Sequence, residues 1–220
     1  MTGWDADRLR AALRVYLLAD AGLMPSEKLP GVVAAALRGG VTAVQVRAKS
    51  ATTLELLDLA RTLNTLCREA HVPFIVNDRV DVALAAEADG VHVGHIGEED
   101  LLPHDARRLL GPEAIVGVSV GTAQEAHMAT AQGASYVSAG PMFATSTKDN
   151  AGPAAGDALL RSVRAATGLP LVVIGGITAQ RSPGLFAAGA DGICVGAAIV
   201  RAVDPELAAR AFFETGGAGG

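Results

Sequence analysis

Short apolar runs alternate with amphipathic stretches along nearly the whole chain. The runs at 15–19, 43–47, 74–77, 90–93, 115–119, 136–139, 171–174 and 192–196 are rich in Val, Ile, Leu and Ala, and they predict strands. Between and after them, helical periodicity covers 31–39, 52–70, 80–88, 103–110, 122–132, 157–167, 178–189 and 205–214. Strand-then-helix repetition calls for parallel strands joined by crossover helices. Eight such units in 220 residues predict a single-domain (β/α)8 TIM barrel, at the compact end of the size range for that fold. The barrel is expected to occupy 1–213, with 214–220 as a flexible C-terminal tail.

Composition narrows the class. Hydrophobic residues make up 50% of the chain but aromatics only 4%, a mix that suits strands buried on both faces. A net charge of -5 argues against a general nucleic-acid binder, while leaving room for local cations to hold small anions. No apolar run approaches the ~18 residues of a membrane span, and the acidic start lacks the pattern of a signal peptide. Cys67 and Cys194 have neither disulfide-framework nor metal-ligand spacing and read as small core residues. A reducing cytoplasm is the expected compartment, and assembly into a homo-oligomer is left open.

The candidate chemistry gathers just after strand ends, where barrel enzymes build their sites. Gln45, Arg47 and Lys49 alternate with Val44, Val46 and Ala48, so the polar trio shares one strand face and points into the barrel mouth. An arginine fork beside a lysine point charge suits a diphosphate. Asn77 and Asp78 close the third strand and Asp100 follows the fourth. Each could be a cap or a solvated turn residue. Together the two aspartates suit Mg2+, which binds through one or two carboxylates plus substrate phosphate.

The longest connection without helical pattern, 140–156, carries Thr145, Ser146, Thr147 and Lys148. Hydroxyls and an ammonium on such a loop suit anion capture and water exclusion. Glycines after strands seven and eight, Gly175-Gly176 and Gly196 before Ala197, suit a phosphate held by backbone N–H groups. His71, His92, His95, His104 and His127 show no metal spacing and read as surface or packed residues. Ser119 ends strand five and could donate a hydrogen bond to substrate. It has no evident His/Asp partner in the sequence, which speaks against a nucleophilic triad.

The ordered set Tyr16-Leu-Leu-Ala-Asp20, Gln45-Val-Arg-Ala-Lys49, Asn77-Asp78, Asp89-Gly-Val-His-Val-Gly94, Glu99-Asp100-Leu101, Gly117-Val-Ser119, Gly140-Pro141, Thr145-Ser-Thr-Lys148 and Gly175-Gly-Ile177 resembles the thiamine phosphate synthase family over nearly the whole chain. The resemblance implies condensation of 4-amino-2-methyl-5-hydroxymethylpyrimidine diphosphate with 4-methyl-5-hydroxyethylthiazole phosphate, plain or carboxylated, by dissociative loss of pyrophosphate. It implies that Arg47, Lys49, Asn77 and Lys148 bind the diphosphate, and that Asp78 and Asp100 hold Mg2+. Gln45 and Ser119 would contact the pyrimidine. Thr145, Thr147, Gly176 and the Gly196-Ala197 backbone would take the thiazole phosphate. Ser119, Lys148 and Arg47 are the expected catalytic residues. The chain departs from the family pattern by about three extra residues around His95-Ile96-Gly97, which leaves Glu98 and Glu99 as alternatives to Asp100. It also has Gly121 where the family often has histidine. The rival readings are a thiazole tautomerase on a similar barrel and a non-catalytic sensor of phosphorylated ligands.

Overall fold

The computed structural model describes residues 4–95, 101–145 and 154–216. Eight parallel strands close into a barrel in sequence order: β1 (Val15–Asp20), β2 (Ala43–Arg47), β3 (Phe74–Asn77), β4 (Gly90–His95), β5 (Ile115–Val120), β6 (Tyr136–Ala139), β7 (Leu171–Ile174) and β8 (Gly192–Val195), with β8 pairing back onto β1. Every predicted strand forms. The β-branched runs suit a pleated surface that is covered on one side by helices and filled on the other by side chains.

The helices are α1 (Ala6–Ala12), α2 (Leu29–Arg38), α3 (Thr53–Glu69), α4 (Val80–Ala85), α5 (Pro103–Leu110), α6 (Ala123–Ala131), α7 (Gly156–Ala166), α8 (Ser182–Ala187), α9 (Ala197–Val200) and α10 (Pro205–Gly216). Local chemistry sets their starts. Thr52 and Glu55 form a reciprocal capping box on α3, and the Thr122 hydroxyl accepts from the Glu125 amide at α6. Two helices escaped the periodicity because they are short: α1 and α9 are seven and four residues long. Helix α10 continues past 213, the barrel limit expected from the sequence.

Strand alternation sorts the core into two regions. Val15, Leu17, Val44, Val46, Val76, Val91, Val118 and Val173 face the helices. Tyr16, Leu18, Ala43, Ile75, Ile115, Tyr136, Val172 and Cys194 fill the barrel interior. Helix α1 closes the lower, N-terminal end of the barrel. The Asp5 carboxylate caps it by accepting from the Arg8 amide, and its buried Leu9, with Leu13 just beyond, joins the interior cluster. Among the described residues the interior is therefore packed below and opens above, at the C-terminal ends of the strands.

Candidate active site

A cavity of about 480 Å³ occupies that upper end. Its walls include Gln45 and Arg47 from β2, as the period of two requires, and Lys49 from the turn that follows the strand. Asn77, Asp78, Ser119, Thr145, Gly176, Gly196 and Ala197 line it too. The fold thus brings together every described residue that the sequence assigned to the site. Asp100, Thr147 and Lys148, with Glu98 and Glu99, lie outside the described residues.

The cations are held by carboxylates. Arg47 Nη1 lies 2.6 Å from Asp20 Oδ2, and the Asp20 side chain is only 3% exposed. The other Asp20 oxygen accepts from the Gly22 amide at 2.8 Å. Lys49 Nζ stands 3.4 Å from Asp78 Oδ2, and Asn77 Nδ2 donates to the same oxygen at 2.6 Å. Asp78 is not a helix cap: Arg79 occupies that position on α4. Asp78 instead adopts φ 60°, a left-handed conformation uncommon outside glycine but tolerated by aspartate. Its amide donates to His92 O on the neighbouring strand, which fixes the turn. A partly exposed carboxylate between an amide and an ammonium, at the cavity wall, suits a hard cation shared with phosphate oxygens. Among the described residues there is no cluster of three metal-ligating side chains, so phosphate and other groups would have to complete the shell.

Loops six and seven interlock on the opposite wall. Met142 N donates to Ile174 O at 2.8 Å and Phe143 N to Gly175 O at 3.0 Å. Gly176 has φ 62°, and a Cβ there would strike Ala144 O and the Phe143 side chain, so only glycine allows this approach. Arg181 lies 4.3 Å over the Phe143 ring and donates to Gly176 O at 2.8 Å. Thr145 and Gly176 are thereby presented from adjoining loops.

Deeper in the cavity the structure corrects the sequence reading. Ser119 does have a histidine partner: its Oγ is 3.0 Å from His92 Nε2. His92 is buried, as a packed histidine would be, yet it also lines the cavity. Its Nδ1 meets the Tyr136 hydroxyl at 2.8 Å, in the position that a Ser-His-Asp triad gives to a carboxylate. His95 is likewise a site residue. It lines the cavity with Nδ1 3.2 Å from Glu125 Oε2. Burial pushes the Glu125 carboxyl up, but hydrogen bonds from the Gly121 amide, His95 and Thr122 more than offset this and leave it below its ordinary value. A Cβ on Gly121 would sit 3.6 Å from His95 Cε1, so an imidazole borders the space beside Gly121 from the end of β4. Tyr16, Asp20 and Ser138 are among the further cavity residues not assigned from the sequence, and Tyr136 lies behind His92. Tyr16 and Asp20 share the inward phase of β1 with Leu18, a signal that strand parity could have supplied.

A family model described as thiamine monophosphate synthase matches residues 15–199. The chain belongs to the thiamine monophosphate synthase family. Membership makes it a transferase of thiamine biosynthesis. The thiamine-phosphate synthase of Moorella thermoacetica is 50% identical over 179 residues, covering 81% of this chain and 84% of the relative. That of Methanospirillum hungatei is 43% identical over 199 residues, covering 90% and 95%. Among solved structures, the thiamine phosphate pyrophosphorylase of Pyrococcus furiosus superposes with a TM-score of 0.85 at 37% identity, covering 95% of this chain and 98% of that one. Within the thiamine monophosphate synthase fold, the matched segment runs from the start of β1 into α9, so it includes every described wall of the cavity.

Proposed function

We propose that the cavity joins a pyrimidine-methyl diphosphate to a thiazole phosphate, plain or carboxylated, giving thiamine phosphate and pyrophosphate. The observation that carries this reading is the placement of Arg47, at the end of β2, and Lys49, in the turn just after it, on the cavity wall beside Asp78. Two cations and a carboxylate at one wall exceed the needs of a monophosphate and suit a departing diphosphate. The C–O bond to the diphosphate breaks with its electron pair going to pyrophosphate. The thiazole nitrogen then supplies the lone pair for the new C–N bond, and a carboxylated thiazole also releases CO2.

Each residue has a defined task in this reading. Arg47, Lys49, Asn77 and Lys148 bind the diphosphate and stabilise charge as it accumulates on the leaving group, which lowers the barrier selectively. Asp78 and Asp100 would hold Mg2+, which would supply further positive charge for the leaving group. Gln45 and Ser119 orient the pyrimidine from the cavity floor. Thr145, Thr147, Gly176, Gly196 and Ala197 receive the thiazole phosphate. The partly apolar wall of Leu18, Ile174 and Val195 limits water at the reacting carbon.

The test supplies both substrates to the purified protein and follows pyrophosphate and thiamine phosphate, with Mg2+ and with excess chelator. The expected result is equimolar formation of both products that depends on Mg2+. Interconversion of thiazole tautomers without thiamine phosphate would favour the isomerase reading. Ligand binding without any turnover would favour a sensor.

A further inference from the structure

Five side chains from five strands form one unbroken series of hydrogen bonds across the barrel. Gln45 Nε2 donates to the Tyr16 hydroxyl at 2.6 Å. Tyr16 and Tyr136 hydroxyls are 2.9 Å apart. Tyr136 meets His92 Nδ1 at 2.8 Å, and His92 Nε2 meets Ser119 Oγ at 3.0 Å. The series runs from β2 through β1, β6 and β4 to β5, and both tyrosines are fully buried.

We propose that this series has a single fixed direction, from Gln45 to Ser119, and that it makes the Ser119 hydroxyl a hydrogen-bond donor to whatever ligand atom rests on it. An amide nitrogen has protons but no acceptor lone pair, so Tyr16 accepts from Gln45 and sends its own proton to Tyr136. Tyr136, having accepted, donates to His92 Nδ1. A neutral imidazole that accepts at Nδ1 carries its proton on Nε2. His92 therefore donates to Ser119, and the serine proton is left for the cavity. Reversing one link alone would face two protons, or two lone pairs, across a buried contact, which the desolvated interior penalises. Burial pushes both tyrosine hydroxyls far above their ordinary range, so ionisation does not interrupt the series.

His92, Tyr136 and Tyr16 are thus positioning residues, acting on the ligand through Ser119. The ligand atom that takes the Ser119 proton must be an acceptor, such as an aromatic ring nitrogen with an in-plane lone pair. Identifying that atom as a pyrimidine nitrogen rests on the function proposed above. The direction of the series does not, because it follows from the protein's own hydrogen bonds.

The experiment is long-range 1H–15N NMR of ligand-free protein labelled with 15N-histidine, with His92 assigned by its loss in His92→Gln and independently by the Nε2-end perturbation in Ser119→Ala. The expected result is an unprotonated, pyridine-type Nδ1 and a protonated, pyrrole-type Nε2. Tyr136→Phe removes the donor at Nδ1, so the two nitrogen shifts should converge towards tautomeric averaging. In the same variant, KM for the pyrimidine diphosphate should rise roughly tenfold, the worth of one misdirected hydrogen bond, with a smaller change in kcat. A protonated Nδ1 in the wild-type protein, or a tautomer unaffected by Tyr136→Phe, overturns the proposal. If the protein makes no thiamine phosphate, the NMR result still decides the direction, so the two readings fail separately.

Discussion

Arg47 reaches the cavity with Nη1 bound 2.6 Å from the buried Asp20 carboxylate. Asp20 is itself fixed by the Gly22 amide at 2.8 Å. One side of the guanidinium is therefore anchored to the top of β1, and the fork is pre-set for an anion rather than free to fold away.

Asp20→Asn should keep the Gly22 contact but remove the charge that holds Arg47. A charge-assisted hydrogen bond contributes roughly 1.5–3 kcal/mol, so KM for the pyrimidine diphosphate should rise by about one to two orders of magnitude. KM for the thiazole phosphate should move little. Steady-state kinetics with each substrate varied in turn would reveal the asymmetry, and equal effects on both would point to general unfolding.

Gly117 makes room for the Tyr136 ring: a Cβ at 117 would collide with the phenol carbons and hydroxyl. Gly117→Ala should force that ring aside, with an overpacking cost of ~1–3 kcal/mol. In a chain of this size that corresponds to a fall in Tm of roughly 2–12 °C, measurable by calorimetry. The variant should also lose affinity at the pyrimidine site, because displacing Tyr136 disturbs His92 and Ser119.

The chain has two tyrosines, Tyr16 and Tyr136, and burial raises both hydroxyls. Burial also pushes the Cys67 and Cys194 thiols from 9.0 up to about 12. A folded-state value above the unfolded one stabilises the protein below the unfolded value, and that stability is lost as pH climbs through the shifted range. Stability should therefore decline from about pH 9 upward as the unfolded thiols begin to ionise, and more steeply above ~10 as the unfolded phenols join them. Ultraviolet titration should detect no tyrosinate in the native protein, only a step that coincides with loss of circular dichroism. A smooth native titration centred near 10 would contradict the burial argument.

Asp78→Asn should cut Mg2+-dependent turnover about a hundredfold, the usual scale for losing one electrostatic contact to developing charge. The amide would still accept from Asn77, so the fold should survive, as thermal melting can verify. Asp100→Asn should match it if Asp100 is the second ligand. If only Asp78→Asn is impaired, Glu98 or Glu99 becomes the partner to substitute next.

The barrel was legible because each strand advertises itself locally, as in Phe74-Ile75-Val76-Asn77 or Leu171-Val172-Val173-Ile174. Gln45 and Arg47 were legible for the same reason, since alternation on one strand is a local pattern, and Lys49 follows in the turn just past β2. The His92–Ser119 contact was not. It joins residues 27 apart in sequence, and a search for metal or triad spacing along the chain passes over it. What brings them together is the pairing of β4 with β5, in which Val93 faces Val118 and, past an irregularity, His95 faces Ser119. Register of this kind is set by closure of the whole barrel, not by any one segment. Asp20 was overlooked because an acidic residue at a strand end also reads as a turn former.

Because Leu9 and Leu13 stopper the lower end of the barrel, the described walls leave the cavity its door at the upper end. Whatever rests deepest, against Ser119 and His92, has to arrive before anything seated above it and cannot depart until the upper occupant has cleared the way. Sequence of arrival and departure is then a matter of depth rather than of relative affinity, and a tight-binding mimic of the upper ligand would imprison the lower one.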